Sequence, residues 1–398
     1  MRVVVIGDVG VVGGMMHVGD EAMFDAMVEA LRARGVERIV GISNAPAETA
    51  DRYGIEAIGG LAFPGSREDL SIRSAAVLAA ADGRATIAAD DPALAVIEAV
   101  ASADGVVVAG GGNLTSNWPH RIFERTILGT LAERFGTPLV VSGQTLGPRL
   151  DPVDRATVGA LLRSARLVGV REHPSAGVAA DLGVPTGRLA ANRDDATFLG
   201  ADEHEPADGA ADLLLVSLSV HLGGLPRGAT ISGLARSIDA LADRTGLEPA
   251  FHPHFGSLVP GTLAGDQVLH DAVRTELRSP SVVLPTGDPR SAARLARGAG
   301  MLVTSRYHPA VFAGPAGVPI AALPVDSYTG VKLRGATGWW AQDGVIDLAT
   351  AWTPAGGDAL ARVWASRETV RASADRDRRA ARAAMSAWFN RVAGEIAR

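Results

Sequence analysis

A chain of 398 residues is too long for one ordinary domain, and two of typical size are the natural division; 47% apolar and 21% charged residues, with mean hydropathy +0.16, suffice for sizeable cores. A formal charge of −6, a pI near 5.9 and only 5% aromatic residues argue against a general nucleic-acid or anionic-membrane surface, so no nucleic-acid partner is expected. Cysteine is absent, which removes disulfides, thiolate metal sites and a cysteine nucleophile.

The first ten residues, MRVVVIGDVG, are broken by Asp8 too soon for a signal peptide, and no later run is long and apolar enough to span a bilayer. A cytoplasmic protein with no transmembrane segment is the expectation, with peripheral attachment to the inner face of a membrane left open. Val3 to Ile6 reads as a strand and residues 7 to 20 as a glycine-rich loop. Asp20 is the expected N-cap of a helix to about Arg34, since Ala22, Met23, Ala26, Met27, Ala30 and Leu31 share a face. No clean GxGxxG opens that helix and no acidic residue ends the next strand, RIVGIS, so a dinucleotide is not expected. Gly19 and Asp20, with His17, either line a cleft or close a turn that needs glycine for positive φ.

Residues 61 to 92 show little beyond a helix near Ser71 to Ala81. A helix from Pro92 to Ala103 then leads to a strand, Val106 to Ala109, ending in GGGN at Gly110 to Asn113. Gly111, Gly112 and Asn113 are candidate ligand groups, because backbone N–H groups of glycines can cradle an anion; tight packing is the alternative. A helix to Phe135, a strand from Pro138 to Val141 and the segment SGQTLGP follow. The strand Leu167 to Val170 ends in Arg171, Glu172 and His173, where Arg171 is either a second arginine for a ligand or half of a surface ion pair with Glu172. From Asn192 to Ala211 periodicity is lost and Asp, Glu, Gly and Pro gather, the best boundary in the chain, with Asp194 or Asp195 closing the first domain.

The second domain opens with a strand from Leu213 to Ser219, a loop HLGGLPRG and a helix near Ile231 to Leu241. Pro249 to His254 is read as a strand ending in His252 and His254. These two share one face and could line a cleft, and no third ligand at informative spacing supports a metal. A helix over Leu269 to Leu277 and a strand over Val282 to Leu284 precede the central stretch, MLVTSRYHPAVFAGPAGVPIAALP, residues 301 to 324. It reads as strand, turn, helix and strand, which sets Arg306 and His308 at a strand-to-helix junction, where open α/β sheets expose ligand groups. Arginine offers a fork for carboxylate or phosphate, and histidine can move a proton near neutral pH. The tail from about Gly357 reads as one or two long helices whose arginines form a solvated face. The division is therefore 1–195, a linker 196–212, 213–350 and a helical extension 351–398, an α/β chain with two Rossmann-like domains facing a cleft and C-terminal helices packing across.

The segments GDEAMFDAM (19–27), GGGNLT (110–115), SGQTLGP (142–148), VGVREHPSAG (168–177) and SRYHPAVFAGPAGVPIAAL (305–323), with Lys332 behind them, resemble the polysaccharide pyruvyl transferase family. The resemblance runs from residue 1 to about 335 in the family's order. It implies a fold of the glycosyltransferase B type and transfer of a pyruvyl group from phosphoenolpyruvate onto a sugar as a cyclic ketal. His308, Arg306 and Arg171 match the family's donor-binding and catalytic groups, and Gln144 and Lys332 fall among the substrate-facing residues. REHPS stands where many relatives read closer to RDxxS, and Tyr307 where leucine or methionine is common.

Phosphoenolpyruvate carries a phosphate and a carboxylate, which arginines and a backbone nest would hold, while an imidazolium gives a proton to the methylene carbon. No cofactor or metal is expected, phosphoenolpyruvate being the donor substrate; a glycan or a lipid-linked saccharide is the implied acceptor, and the oligomeric state is left open. Two alternatives stand beside this reading. One is a glycosyltransferase of the same fold type using a nucleotide sugar, for which Asp326 rather than Asp266 is the candidate ribose clamp; the other is a non-catalytic glycan-binding relative.

Overall fold

A computed structural model of the chain describes residues 1–201 and 209–397; residues 202–208 of the expected linker lie outside the described residues. The chain forms two compact units, Met1–Val12 with Met23–Asp195 and Ala384–Arg398, and Gly13–Ala22 with Ala196–Ala383. The first unit is built on an 8-stranded sheet in the order Glu56–Gly59, Arg38–Ser43, Arg2–Ile6, Gly105–Val108, Leu139–Leu146, Leu167–Val170 and Leu189–Ala191, with Gly111–Leu114 paired to Leu139–Leu146. Every pairing in it is parallel. Val3–Ile6 of the first strand and GVVV are apolar and buried, as strands covered on both faces by helices are. The second unit carries a 5-stranded parallel sheet, ordered Val282–Val283, Glu248–Phe251, Leu213–Ser217, Met301–Thr304 and Ile320–Ala322. Both orders reverse direction beside the first strand of their sheet, the doubly wound Rossmann pattern, and the reversal sets a ligand crevice at the strands' carboxyl ends.

Several elements differ from their sequence readings for local reasons. The helix expected from Asp20 runs Val18–Arg32, so Asp20 lies in its first turn instead of capping it. Ahead of it, Met15–His17 is a short strand antiparallel to Phe255–Ser257, and His17 stacks on Phe255 at 4.0 Å. The glycine-rich loop, with positive φ at Gly10, Gly13 and Gly14, thus carries residues 13–22 into the second unit. GGGN is a strand instead of an open turn, and SGQTLGP is mostly strand, because Leu139–Leu146 extends to pair with Gly111–Leu114. The strand expected to end in His252 and His254 stops at Phe251, leaving both histidines in the following loop. The alanine-rich stretch forms a helix from Arg67 to Ala81, started by a Ser66–Asp69 capping box.

The long tail helix, Arg367–Ile396, gives its first part to the second unit and its last to the first. In the second unit Ala374 and Ala381 pack with buried Trp340, and Arg378 Nε donates to the Pro315 carbonyl at 2.6 Å. In the first, buried Trp388 lies on Gly169, where a side chain would overlap its ring, and its Nε1–H donates to Ser142 Oγ at 2.9 Å. Among the described residues no helix is long and apolar enough to cross a membrane.

Candidate functional site

In the second unit the polar residues converge at the carboxyl ends of Leu213–Ser217, Glu248–Phe251 and Met301–Thr304, at the reversal of strand order. Thr304 Oγ1 accepts the Arg306 backbone N–H at 2.9 Å and donates to the Ser217 carbonyl at 2.8 Å, so the residue after the strand is pinned to the sheet. The Arg306 side chain, 21% exposed, meets Asp266 edge-on: Nε–H donates to Oδ2 at 2.8 Å and Nη2–H to Oδ1. Asp266, at the start of the helix Asp266–Thr275, is fully buried. It also accepts the N–H groups of Val220, His254 and Phe255 at 3.1, 3.3 and 2.9 Å.

His308 follows in the first turn of the helix Tyr307–Ala313 and is partly exposed. Its imidazole lies against the Cα of Gly19, so closely that an ideal Cβ there would overlap Nδ1, Cε1 and Cγ. Phe312 flanks His308 and His254 at 6.0 Å each. Gly19 and Asp20 reach this cluster because Val18 N–H donates to the His254 carbonyl at 3.0 Å and the Met15–His17 strand pairs beside it. Lys332, on the helix Ser327–Gly338, sits over the Tyr328 ring at 3.8 Å and near the Tyr307 ring at 5.9 Å.

Three further imidazoles are buried here, with His252 and His254 edge to face at 5.1 Å. Burial, reinforced by the neighbouring imidazole of His270, pushes His252 down to about 4. Burial likewise lowers His254 well below the usual histidine range and His270 to about 4. His270 Nε2 accepts the Leu218 N–H at 2.9 Å, which puts its proton on Nδ1. Among the described residues no group of three His, Cys, Asp or Glu could hold a metal ion.

In the first unit, Arg171 is not the surface residue that a pair with Glu172 would make it: it is 2% exposed. Its Nη1 donates to Asp194 at 2.9 Å and its Nε to Thr145 Oγ1 at 2.8 Å, while Glu172 stands 4.0 Å away. The reason is a strand end with three buried carboxylates, Glu172, Asp194 and Asp195, for which Arg171 supplies a counter-charge. Burial, and then the charge of Asp194, push Asp195 up to about 7, and burial raises Glu172 as well. Gln144, buried in its strand, donates to the Ala109 carbonyl. Gly111 and Gly112 are buried in their strand, and Asn113 Nδ2 donates to Asp8. Asp8 also pairs with Arg121 at 2.6 Å and Arg125 at 3.4 Å, at this sheet's own reversal point.

Sequence reasoning set Asp266 aside as a ribose clamp without seeing its pairing with Arg306, and missed His270, Asp8, Arg121 and Arg125. Asp8 carried a signal, an acid directly after the first strand; the others sit on helices with nothing in spacing to mark them.

With this geometry in place, comparison with known proteins is informative. The profile of the polysaccharide pyruvyl transferase family matches residues 17–327. Among curated proteins no sequence matches the chain. Solved structures share the fold: the glycotransferase of kitacinnamycin at 15% identity (TM-score 0.60, covering 99% of this chain and 98% of that one) is one. UDP-GlcNAc 2-epimerases are others, from Methanocaldococcus jannaschii (10%, TM-score 0.59, 91% of each chain) and from Neisseria meningitidis bound to UDP-GlcNAc (10%, TM-score 0.59, 94% of each). Two Rossmann-like units with parallel sheets and a profile match over most of the length lead to one conclusion: the chain belongs to the polysaccharide pyruvyl transferase family, whose members are glycan-modifying transferases.

Proposed function

We propose that the protein moves a pyruvyl (1-carboxyethylidene) group from phosphoenolpyruvate to a diol of a glycan, forming a cyclic ketal and releasing phosphate. The observation that carries this reading is the placing of Arg306 and His308 after one strand, a guanidinium 21% exposed and, two residues on, an imidazole in the first turn of the following helix. An anionic donor fits the arginine. Burial keeps His252, His254 and His270 neutral at pH 7, which leaves His308 as the imidazole suited to give a proton. In the proposed course His308 protonates the methylene carbon, making C2 an oxocarbenium-like centre. One sugar hydroxyl adds there and gives up its proton, phosphate leaves, and a second hydroxyl adds and gives up its own. One of the two protons restores His308 and the other leaves on phosphate. Gly19 borders the imidazole, with Asp20 next to it in sequence, and Lys332 lies near Tyr307. To Arg171, matched by Asp194 and out of solvent, we assign the positioning of Thr145 and the strand end around Gln144 instead of a direct grip on the donor.

The nucleotide-sugar alternative fits these residues less well. Asp326 accepts the Thr329 N–H at 2.7 Å as a helix cap, and Asp266 is taken up by Arg306. Phosphate release from phosphoenolpyruvate with a panel of glycans, alongside UDP-sugars, tests the choice. Glycan-dependent release is the expected result; turnover of a UDP-sugar with none of phosphoenolpyruvate would overturn it.

A further inference from the structure

Arginine 306 has five N–H donors, and Asp266 uses two of them from the side, at Nε and Nη2. Of the three that remain, one on Nη1 and one on Nη2 form the end-on fork, an edge that Asp266 does not occupy, and the second Nη1–H lies along the opposite side of the guanidinium. Nothing else on the Arg306 side chain fixes that direction as strongly: the Phe255 ring lies 5.8 Å from the guanidinium carbon and supplies only a flat support. Asp266 itself is held by three backbone N–H groups from two separate segments, Val220 after Leu213–Ser217, and His254 with Phe255 after Glu248–Phe251. A buried carboxylate with that many donors is a rigid post. It loses little order when a ligand arrives, because the arginine is already oriented.

We propose that Asp266 is a positioning residue that presets the end-on fork of Arg306 for an anionic group of the donor. The assignment rests on the donor reading given above, yet its central claim concerns Arg306 alone and can be tested apart from it. A carboxylate whose function was only to join loops would stabilise the fold and leave the arginine's reactivity as it was.

The experiment combines kinetics with chemical labelling of the full chain. Phenylglyoxal modification of Arg306, read by mass spectrometry against the exposed Arg38 as internal reference, is expected to speed up several-fold in Asp266→Asn while Arg38 is unchanged. The same variant is expected to lose about tenfold to a hundredfold in kcat/KM for phosphoenolpyruvate, chiefly through KM, with Asp266→Glu in between. In the double variant Asp266→Asn/Arg306→Ala the loss should be no larger than in Arg306→Ala alone, because one residue acts through the other. If Asp266→Asn does not fold, Asp266→Glu carries the same comparisons. Unchanged Arg306 labelling, or losses that multiply in the double variant, would overturn the assignment. Should the wild type show neither turnover nor protection of Arg306 by phosphoenolpyruvate, the donor reading fails, and the labelling rates still decide whether Asp266 orients Arg306.

Discussion

Glycine 19 offers a sharp test of His308, because helix propensity and site geometry make opposite demands on it. It lies in the first turn of Val18–Arg32, where alanine would favour the helix by roughly 0.5–1 kcal/mol. A Cβ at that position would coincide with the His308 ring, so Gly19→Ala forces the imidazole into another rotamer or pushes the helix start away. Overpacking of this kind costs about 1–3 kcal/mol, partly offset by the helix gain, so the melting temperature should move by only about a few degrees. Turnover should suffer far more: displacing a general acid forfeits about 10²–10⁴-fold in kcat. Gly394→Ala, in a helix with open space around it, serves as the control and should leave activity unchanged. Phosphate release at saturating phosphoenolpyruvate, with thermal denaturation of each variant, makes the comparison. Wild-type kcat in a folded Gly19→Ala protein would refute the placement of the acid at His308.

Four other outcomes follow from the same geometry. Arg306→Ala should lower kcat/KM for phosphoenolpyruvate by roughly 10- to 150-fold, and lysine should restore it only in part, lacking the fork; steady-state kinetics checks both. His308→Gln keeps the bulk without the proton and should lower kcat about 10²–10⁴-fold while KM for the donor moves less. Arg171→Ala leaves Asp194 and Glu172 buried without their counter-charge, so it should cost about 3–5 kcal/mol in denaturant unfolding before any effect on KM is read. Asp195, held by burial at about 7 in the folded chain, binds a proton more tightly there than when unfolded. Its contribution to stability is therefore complete below about pH 4 and is lost as pH rises through about 7, at up to about 1.4 kcal/mol per pH unit, a slope that Asp195→Asn should remove from urea melts.

Much of the architecture was legible because buried parallel strands announce themselves as unbroken apolar runs. Leu167–Val170 and Met301–Thr304 coincide with their sequence readings, and Arg306 and His308 fall at a strand end as the pattern required. Legibility failed where a long-range partner decides the local form. Gly111–Leu114 is a strand only because Leu139–Leu146 runs past its apolar stretch to meet it, and Met15–His17 is one only because Phe255–Ser257, far along the chain, pairs with it. The pairing of Asp266 was hidden for the same reason: its partners are an arginine 40 residues away and the backbone of two other segments, none of which its neighbours in sequence foreshadow.

The two units repeat one device with different exposure, and that difference separates the roles of their arginines. Arg306 and Arg171 both follow a parallel strand, and each is paired with a carboxylate. Asp266 takes one edge of Arg306, whose side chain keeps 21% exposure, and desolvation by a bound anion would strengthen hydrogen bonds to the remaining donors. Around Arg171 the carboxylates outnumber the arginine, solvent is excluded, and a proton on Asp195 reduces the negative excess near neutral pH. An additional anion has no unsatisfied charge to meet at Arg171, whereas at Arg306 it meets a guanidinium that shares only one edge. On the proposed reading the same residue type after the same kind of strand would serve as frame in one unit and as contact in the other, and burial, which no motif encodes, is what divides them.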